Sequence, residues 1–143
     1  MNDTAGLVAR ALALHDRNFN CAQCVVCALA PRLGADEDVC FRASEGLGRG
    51  MGGMSETCGA VSGGAMAIGL ATSNGAADPT SKELTYRYAR RLVEAFRAKN
   101  GSTICADLKG ERTGAPLRSC SGCIEDGVTL AAGLLDELRA HAR

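Results

Sequence analysis

Apolar residues recur at intervals of three and four along most of the chain, the spacing that lines one face of an α-helix. The recurrence runs through residues 4–16, about 21–33, 36–45, 56–72, 80–99 and 120–141, with Gly, Pro or Asn near the breaks, and predicts about six helices with little room for strands. Two stretches carry no such periodicity: the glycine-rich GLGRGMGGMSE at 46–56 and the turn-rich KGERTGAPLRS at 109–119, both of which read as loops. No internal repeat or low-complexity segment marks a boundary. The expected fold is therefore all-α, a compact bundle of about five to six helices in a single domain over 1–143, with a glycine-rich loop before the helix that carries CGAVSGG.

Composition changes this picture in two ways. The chain of 143 residues is long enough to bury a core without covalent staples. With 46% hydrophobic but only 3% aromatic residues and no Trp, that core must be built from Ala, Leu, Val, Ile and Met, which favours closely packed helices. Sixteen basic and sixteen acidic residues cancel, so there is no broad cationic footprint and few rings to stack on bases; nucleic acid is set aside as a partner. Arg10 interrupts the first apolar stretch before a secretory segment could form, and no stretch reaches the roughly 18 apolar residues of a membrane span. The expectation is a cytoplasmic protein with no membrane span.

Eight cysteines then become the dominant signal. Disulfides are rare in a reducing cytosol, so a cysteine-rich chain there points to metal binding or thiol redox chemistry. Asn20 and Ser119 are good N-cap residues and would make Cys21 and Cys120 the first residues of their helices. Ser55 would cap the helix carrying Cys58 in its first turn, and Ser102 or Thr103 would cap a short turn containing Cys105. Helix starts offer unpaired N–H groups and the positive end of the helix dipole, both of which favour a thiolate. Cys24 and Cys123 complete C-x-x-C pairs at two of those starts and are further candidates, whereas Cys27 and Cys40, well inside helices, fit a core role. The run Cys21, Cys24, Cys27 opens like a bacterial ferredoxin but has Pro31 where the fourth Cys belongs. GLGRGMGG lacks the G-K-S or G-K-T ending of a phosphate loop. Met51 and Met54 are candidates to shield a cofactor or fill the core, His15 and His141 fall near helix ends and suit solvent, and the basic stretch 87–99 is a solvated face or a dock for an acidic partner. Gly59 and Gly63, four apart on one helix face, predict that another helix backbone comes close there.

NCAQ at 20–23, CGAVSGGAMAIGL at 58–70, the isolated Cys105 after FRAKNGS, and CSGCIEDG at 120–127 together resemble the C-GCAxxG-C-C family of redox-active proteins, over most of the chain. The CGAxxG element is matched by Cys58, Gly59, Ala60 and Gly63. The resemblance implies a small helical redox protein with an iron–sulfur cluster and sets the four signature cysteines at Cys21, Cys58, Cys105 and Cys120, with Cys123 standing where the family commonly has an apolar residue. No catalytic residue is assigned.

Three functions remain open. The first is electron transfer through an iron–sulfur cluster, [2Fe–2S] before [4Fe–4S], held by Cys21, Cys58, Cys105 and Cys120, with Cys24 and Cys123 as additional ligands. The second is a metal-free thiol–disulfide redox protein using Cys21 with Cys24 or Cys120 with Cys123. The third is a structural or storage module holding zinc or copper. The expected partner is a redox partner protein or oxidoreductase, with a homodimer as a further option.

Overall fold

The computed structural model describes residues 3–141, and among them seven helices and no strand are formed. These are α1 (Thr4–Asp16), α2 (Cys21–Leu33), α3 (Glu37–Ser44), α4 (Gly59–Thr72), α5 (Lys82–Asn100), α6 (Cys105–Lys109) and α7 (Cys120–His141). The all-α expectation holds, with one short helix, α6, beyond the six that periodicity predicts.

Helix α2 is the axis of the bundle. Its residues Ala22 to Ala30 are buried without a break, and α1, α3, α4 and α7 pack around it. A helix buried on all sides cannot show an amphipathic stripe; it needs small apolar residues throughout, which CAQCVVCALA supplies. Its start is fixed by a capping box in which Asn20 accepts from the Gln23 N–H and Gln23 accepts from the Asn20 N–H, both at 2.9 Å. The Gln23 amide then donates to the Phe41 carbonyl at 3.1 Å and ties α2 to α3. Near the other end, Pro31 has no N–H to give the Cys27 carbonyl one turn back. Arg10 from α1 reaches that carbonyl at 3.4 Å and pairs with Glu37 of α3 at 2.5 Å.

Helix α4 contributes the close contacts. A Cβ at Gly63 would stand 2.5 Å from the Ala22 carbonyl oxygen of α2, and one at Gly127 of α7 would stand 2.7 Å from the Ala60 carbonyl oxygen of α4. The missing side chains let three backbones approach almost to contact, as the Gly59 and Gly63 spacing predicts. The buried core runs through α1, α2, α4 and α7 and includes Cys24, Cys27, Cys40, Cys58 and Cys123.

One local expectation is corrected. Ser55 does not cap α4: its hydroxyl donates to the Glu56 carboxylate, the helix opens at Gly59 rather than 56, and Cys58 itself occupies the N-cap position. The reason is a long-range one. The Cys58 N–H donates to the Thr103 carbonyl at 2.7 Å, and the Cys105 N–H donates to the Glu56 carbonyl at 2.9 Å, around a single antiparallel bridge between Thr57 and Ile104. This pairing holds 56–58 extended. The glycine-rich stretch precedes α4 as expected and has a defined shape: a 3₁₀ turn over Glu45–Leu47 leads into Gly48–Met51, where Arg49, Gly50 and Met51 have φ of 53°, 54° and 61°. A β-carbon at Gly50 would stand 2.6 Å from that of Cys105, so this left-handed turn lies directly on α6. Met51 is 54% exposed and does not shield the cysteines. No helix among the described residues is long and apolar enough to cross a membrane.

Candidate redox site

Four helix starts bring their thiols to one region. The capping box places Cys21 as the first residue of α2. The Gly59 position of α4 lies so close to it that a β-carbon there would run into the Cys21 sulfur. The paired segments 56–58 and 103–105 set Cys58 and Cys105 side by side at the starts of α4 and α6. Ser119 accepts from the Gly122 N–H at 3.0 Å and starts α7 at Cys120, which leaves Cys123 one turn further in. Ser102 caps nothing in the strict sense; its hydroxyl accepts from the Ile104 N–H at 3.0 Å and meets Asp107 at 3.1 Å, and Ile104 takes the N-cap position of α6.

The thiols act on one another: Cys21 interacts with Cys58, and Cys58 with Cys123. The contact with Cys58, reinforced by burial, pushes the Cys21 thiol far up from the ordinary range. Interaction with Cys123 pushes Cys58 up to about 11, with the Cys21 contact opposing. At the end of the row Cys58 holds Cys123 below the usual thiol value, against burial and with help from Lys109. A hydrogen bond to the ionised form favours that form, so negative charge settles on Cys123 first. The backbone N–H of Arg49, presented by the left-handed turn, reaches Cys21.

Lys109, the last residue of α6, is the cation of the site. Its ammonium lies against the Cys120 sulfur. Burial works against its charge, yet the Cys120 contact and the fields of Cys123 and Cys105 hold it above the usual lysine value. Burial likewise raises Cys105, with Lys109 opposing.

Of the six candidate cysteines, then, Cys21, Cys58 and Cys123 interact in sequence, Cys105 adjoins them, and Cys120 is exposed beside Lys109. Cys24 faces away: its thiol donates to the Phe19 carbonyl at 3.5 Å, and burial pushes it up to about 12. Cys27 and Cys40 are buried in the core, Cys27 donating to the Glu37 carbonyl at 3.7 Å. Cys123 carried a signal that outranks its C-x-x-C spacing: with Gly127 and Ala131 it forms a buried i, i+4 stripe on α7. Lys109 had only its position four residues after Cys105 to mark it. All eight cysteines are free thiols. As donors they are soft and suit iron–sulfur clusters, zinc or copper. Among the described residues no group of three or more His, Cys, Asp or Glu side chains is disposed to hold a single metal ion. A hollow of about 680 Å³ between residues including Arg32, Tyr88 and His141 is lined by no cysteine.

One buried carboxylate braces the site from behind. Asp126 of α7 is 1% exposed and accepts from Lys99 at 2.5 Å, from Asn100 at 3.1 Å and from both Nε and Nη2 of Arg118 at 3.1 and 3.3 Å. These bonds fix the end of α5 and the segment before Cys120 to the first turns of α7.

Residues 19–134 match the profile of the C-GCAxxG-C-C family, whose description is "putative redox-active protein". No curated protein and no solved structure matches the chain.

Proposed function

The chain belongs to the C-GCAxxG-C-C family of redox-active proteins, and from that premise we propose that it works by thiol–disulfide exchange among Cys21, Cys58 and Cys123. The observation that carries this reading is that Cys58 interacts with two thiols from two other helices, with the Cys21 sulfur lying where a β-carbon on the neighbouring Gly59 would stand. Two touching thiols become one disulfide with loss of two electrons and two protons. Because Cys58 is shared, the bridge can stand between Cys58 and Cys123 or between Cys21 and Cys58. Attack by the third thiolate on the Cys58 sulfur converts one into the other with no net oxidation. The acceptor or donor of electrons on this reading is a disulfide or dithiol oxidoreductase, in the cytoplasm.

The test is a count of free thiols across a series of dithiol redox buffers, with the bridges mapped by mass spectrometry. Two thiols should disappear together in a bridge that contains Cys58, and Cys58→Ser should abolish both bridges. An unchanged thiol count across the series overturns the reading. Thiolate ultraviolet absorbance adds a pH readout that needs no access: Cys123 should ionise below the ordinary thiol value, and Cys58→Ala, which removes the thiol interacting with it, should move that ionisation upward.

A second reading keeps an iron–sulfur cluster, favoured by the gathering of Cys21, Cys58, Cys105, Cys120 and Cys123 as an all-sulfur donor set. A cluster carries several irons and does not need all its ligands aimed at one point; bound, it would supply one-electron transfer. Zinc would need four of these ligands gathered on one ion, and metal analysis of the reconstituted protein separates it from iron. Anaerobic reconstitution with iron and sulfide analysis tests the cluster: Cys58→Ser and Cys105→Ser should lose the iron, while Cys27→Ala and Cys40→Ser should keep it. A colourless, iron-free product removes this reading and leaves thiol exchange standing.

A further inference from the structure

Cys58 and Cys123 are 2% and 0% exposed, so a partner's sulfur cannot reach them directly. Cys120 is the exposed thiol of the region, it begins the helix that carries Cys123 one turn in, and its sulfur touches the Lys109 ammonium. Beside it lies a hollow of about 480 Å³ lined by Lys109, Pro116, Leu117, Arg118 and Ser119. Leu117 is 51% exposed, and the two charged residues of the lining are both cations. Arg118 also serves Asp126, but Lys99 shares that carboxylate, so the group of three keeps one net positive charge.

We propose that Cys120 is the port of the site, and that its substrate is a small peptide disulfide bearing carboxylates, seated in the hollow between Lys109 and Arg118. This rests on the thiol-exchange reading above and adds the direction of travel and the class of substrate. The Cys120 thiolate attacks one sulfur of the external disulfide R–S–S–R, forms a Cys120–S–S–R bond and releases one R–S⁻. The Cys123 thiolate attacks the Cys120 sulfur, forms the Cys120–Cys123 disulfide and releases the second R–S⁻. Cys58, losing its proton, attacks the Cys123 sulfur and frees Cys120 as the thiolate beside Lys109. The external disulfide ends as two thiols, the protein has lost two electrons and two protons to it, and the bridge lies in the interior between Cys58 and Cys123. Run backwards, the same steps deliver a disulfide to a dithiol at the surface. Carboxylates on R are attracted by Lys109 and Arg118, and the apolar part of a peptide has Pro116 and Leu117 to lie on.

The experiment treats the full chain with three probes at equal concentration: oxidised glutathione, which is anionic, hydroxyethyl disulfide, which is neutral, and cystamine, which is cationic. In Cys123→Ser the mixed disulfide should be trapped on Cys120. Oxidised glutathione should react about tenfold or more faster than cystamine, with the neutral probe between them, and the ratio should fall as salt is raised. Lys109→Gln should slow the anionic probe and narrow the ratio. An adduct mapped to a cysteine other than Cys120, or equal rates for the three probes, overturns the proposal. Diamide, a small oxidant that needs no docking site, separates the two layers: a Cys58 bridge formed by diamide in both wild type and Cys120→Ser supports the interior exchange whatever the port does. Failure of that bridge in both overturns the exchange itself, and the port with it.

Discussion

Gly63→Ala should lower the melting temperature by roughly 5–10 °C, equivalent to about 2–3 kcal/mol of overpacking in a chain of this size. Alanine normally improves a helix by up to about 1 kcal/mol over glycine. At Gly63 the added methyl would lie 2.5 Å from the Ala22 carbonyl oxygen and 3.0 Å from the Ala22 Cα. Those atoms are backbone of the central helix and cannot swing aside as a side chain can, so the clash outweighs the propensity gain. Gly69 supplies the internal control: it lies on the same helix, a methyl added there would meet nothing within 4 Å, and Gly69→Ala should stabilise by a few tenths to about 1 kcal/mol. Thermal unfolding of the two variants should therefore move in opposite directions. Equal shifts would mean that α2 and α4 are not packed this closely.

The second large effect belongs to Asp126. Replacing Lys99 and Arg118 together with Met should cost about 3–5 kcal/mol, because the change strips both cations from a carboxylate that is 1% exposed. Either replacement alone should cost less, since the other cation and Asn100 remain and the Lys99 side chain is half exposed. Adding Asp126→Asn to the double variant should recover part of the loss by removing the uncompensated charge, a coupling that a double-mutant cycle measures directly. The pH dependence has a defined sign. Burial raises the carboxyl of Asp126, but hydrogen bonds from Lys99, Arg118 and Asn100 outweigh it, and the folded value lies below the usual one. The stability this contributes is thus fully present above the unfolded carboxyl value of about 3.9 and is lost as pH falls through the lower, folded value. In the double variant burial is opposed by Asn100 alone, so the folded value rises, and the loss of stability on acidification should shrink or reverse in urea unfolding between pH 7 and 3.

How much of this was legible depended on the range of the interaction. Asn20 before Cys21 and Ser119 before Cys120 are local capping signals, and both helices start where they indicate. The start of α4 was not legible, because what keeps 56–58 extended is its pairing with 103–105, far along the chain. Composition marked 46–56 as glycine-rich but could not show that two non-glycine residues, Arg49 and Met51, would join Gly50 in a left-handed turn. The cysteines divide the same way. Spacing found the two C-x-x-C pairs, but only helix packing decides that Cys24 turns toward Phe19 while Cys123 turns toward Cys58. Lys109 lies on a helix of five residues, too short to show a period.

The left-handed turn makes the site the weakest part of its own scaffold. Arg49, Met51 and Met54 each hold a positive φ that costs an L-residue on the order of 1–2 kcal/mol. Short backbone bonds such as Met54 N–H to Arg49 carbonyl at 2.8 Å, and the seat of Gly50 on Cys105, hold them there. Releasing the segment returns that strain while the seven helices keep their own hydrogen bonds, so opening it should require far less free energy than global unfolding. Native-state hydrogen exchange should accordingly find the amides of Gly52, Met54 and Glu56 exchanging through a sub-global opening, well ahead of those in α2. Each such opening withdraws the Arg49 N–H from Cys21 and uncovers Cys105, so the rate at which the buried Cys105 thiol meets solvent is set by the breathing of one strained loop rather than by the stability of the bundle.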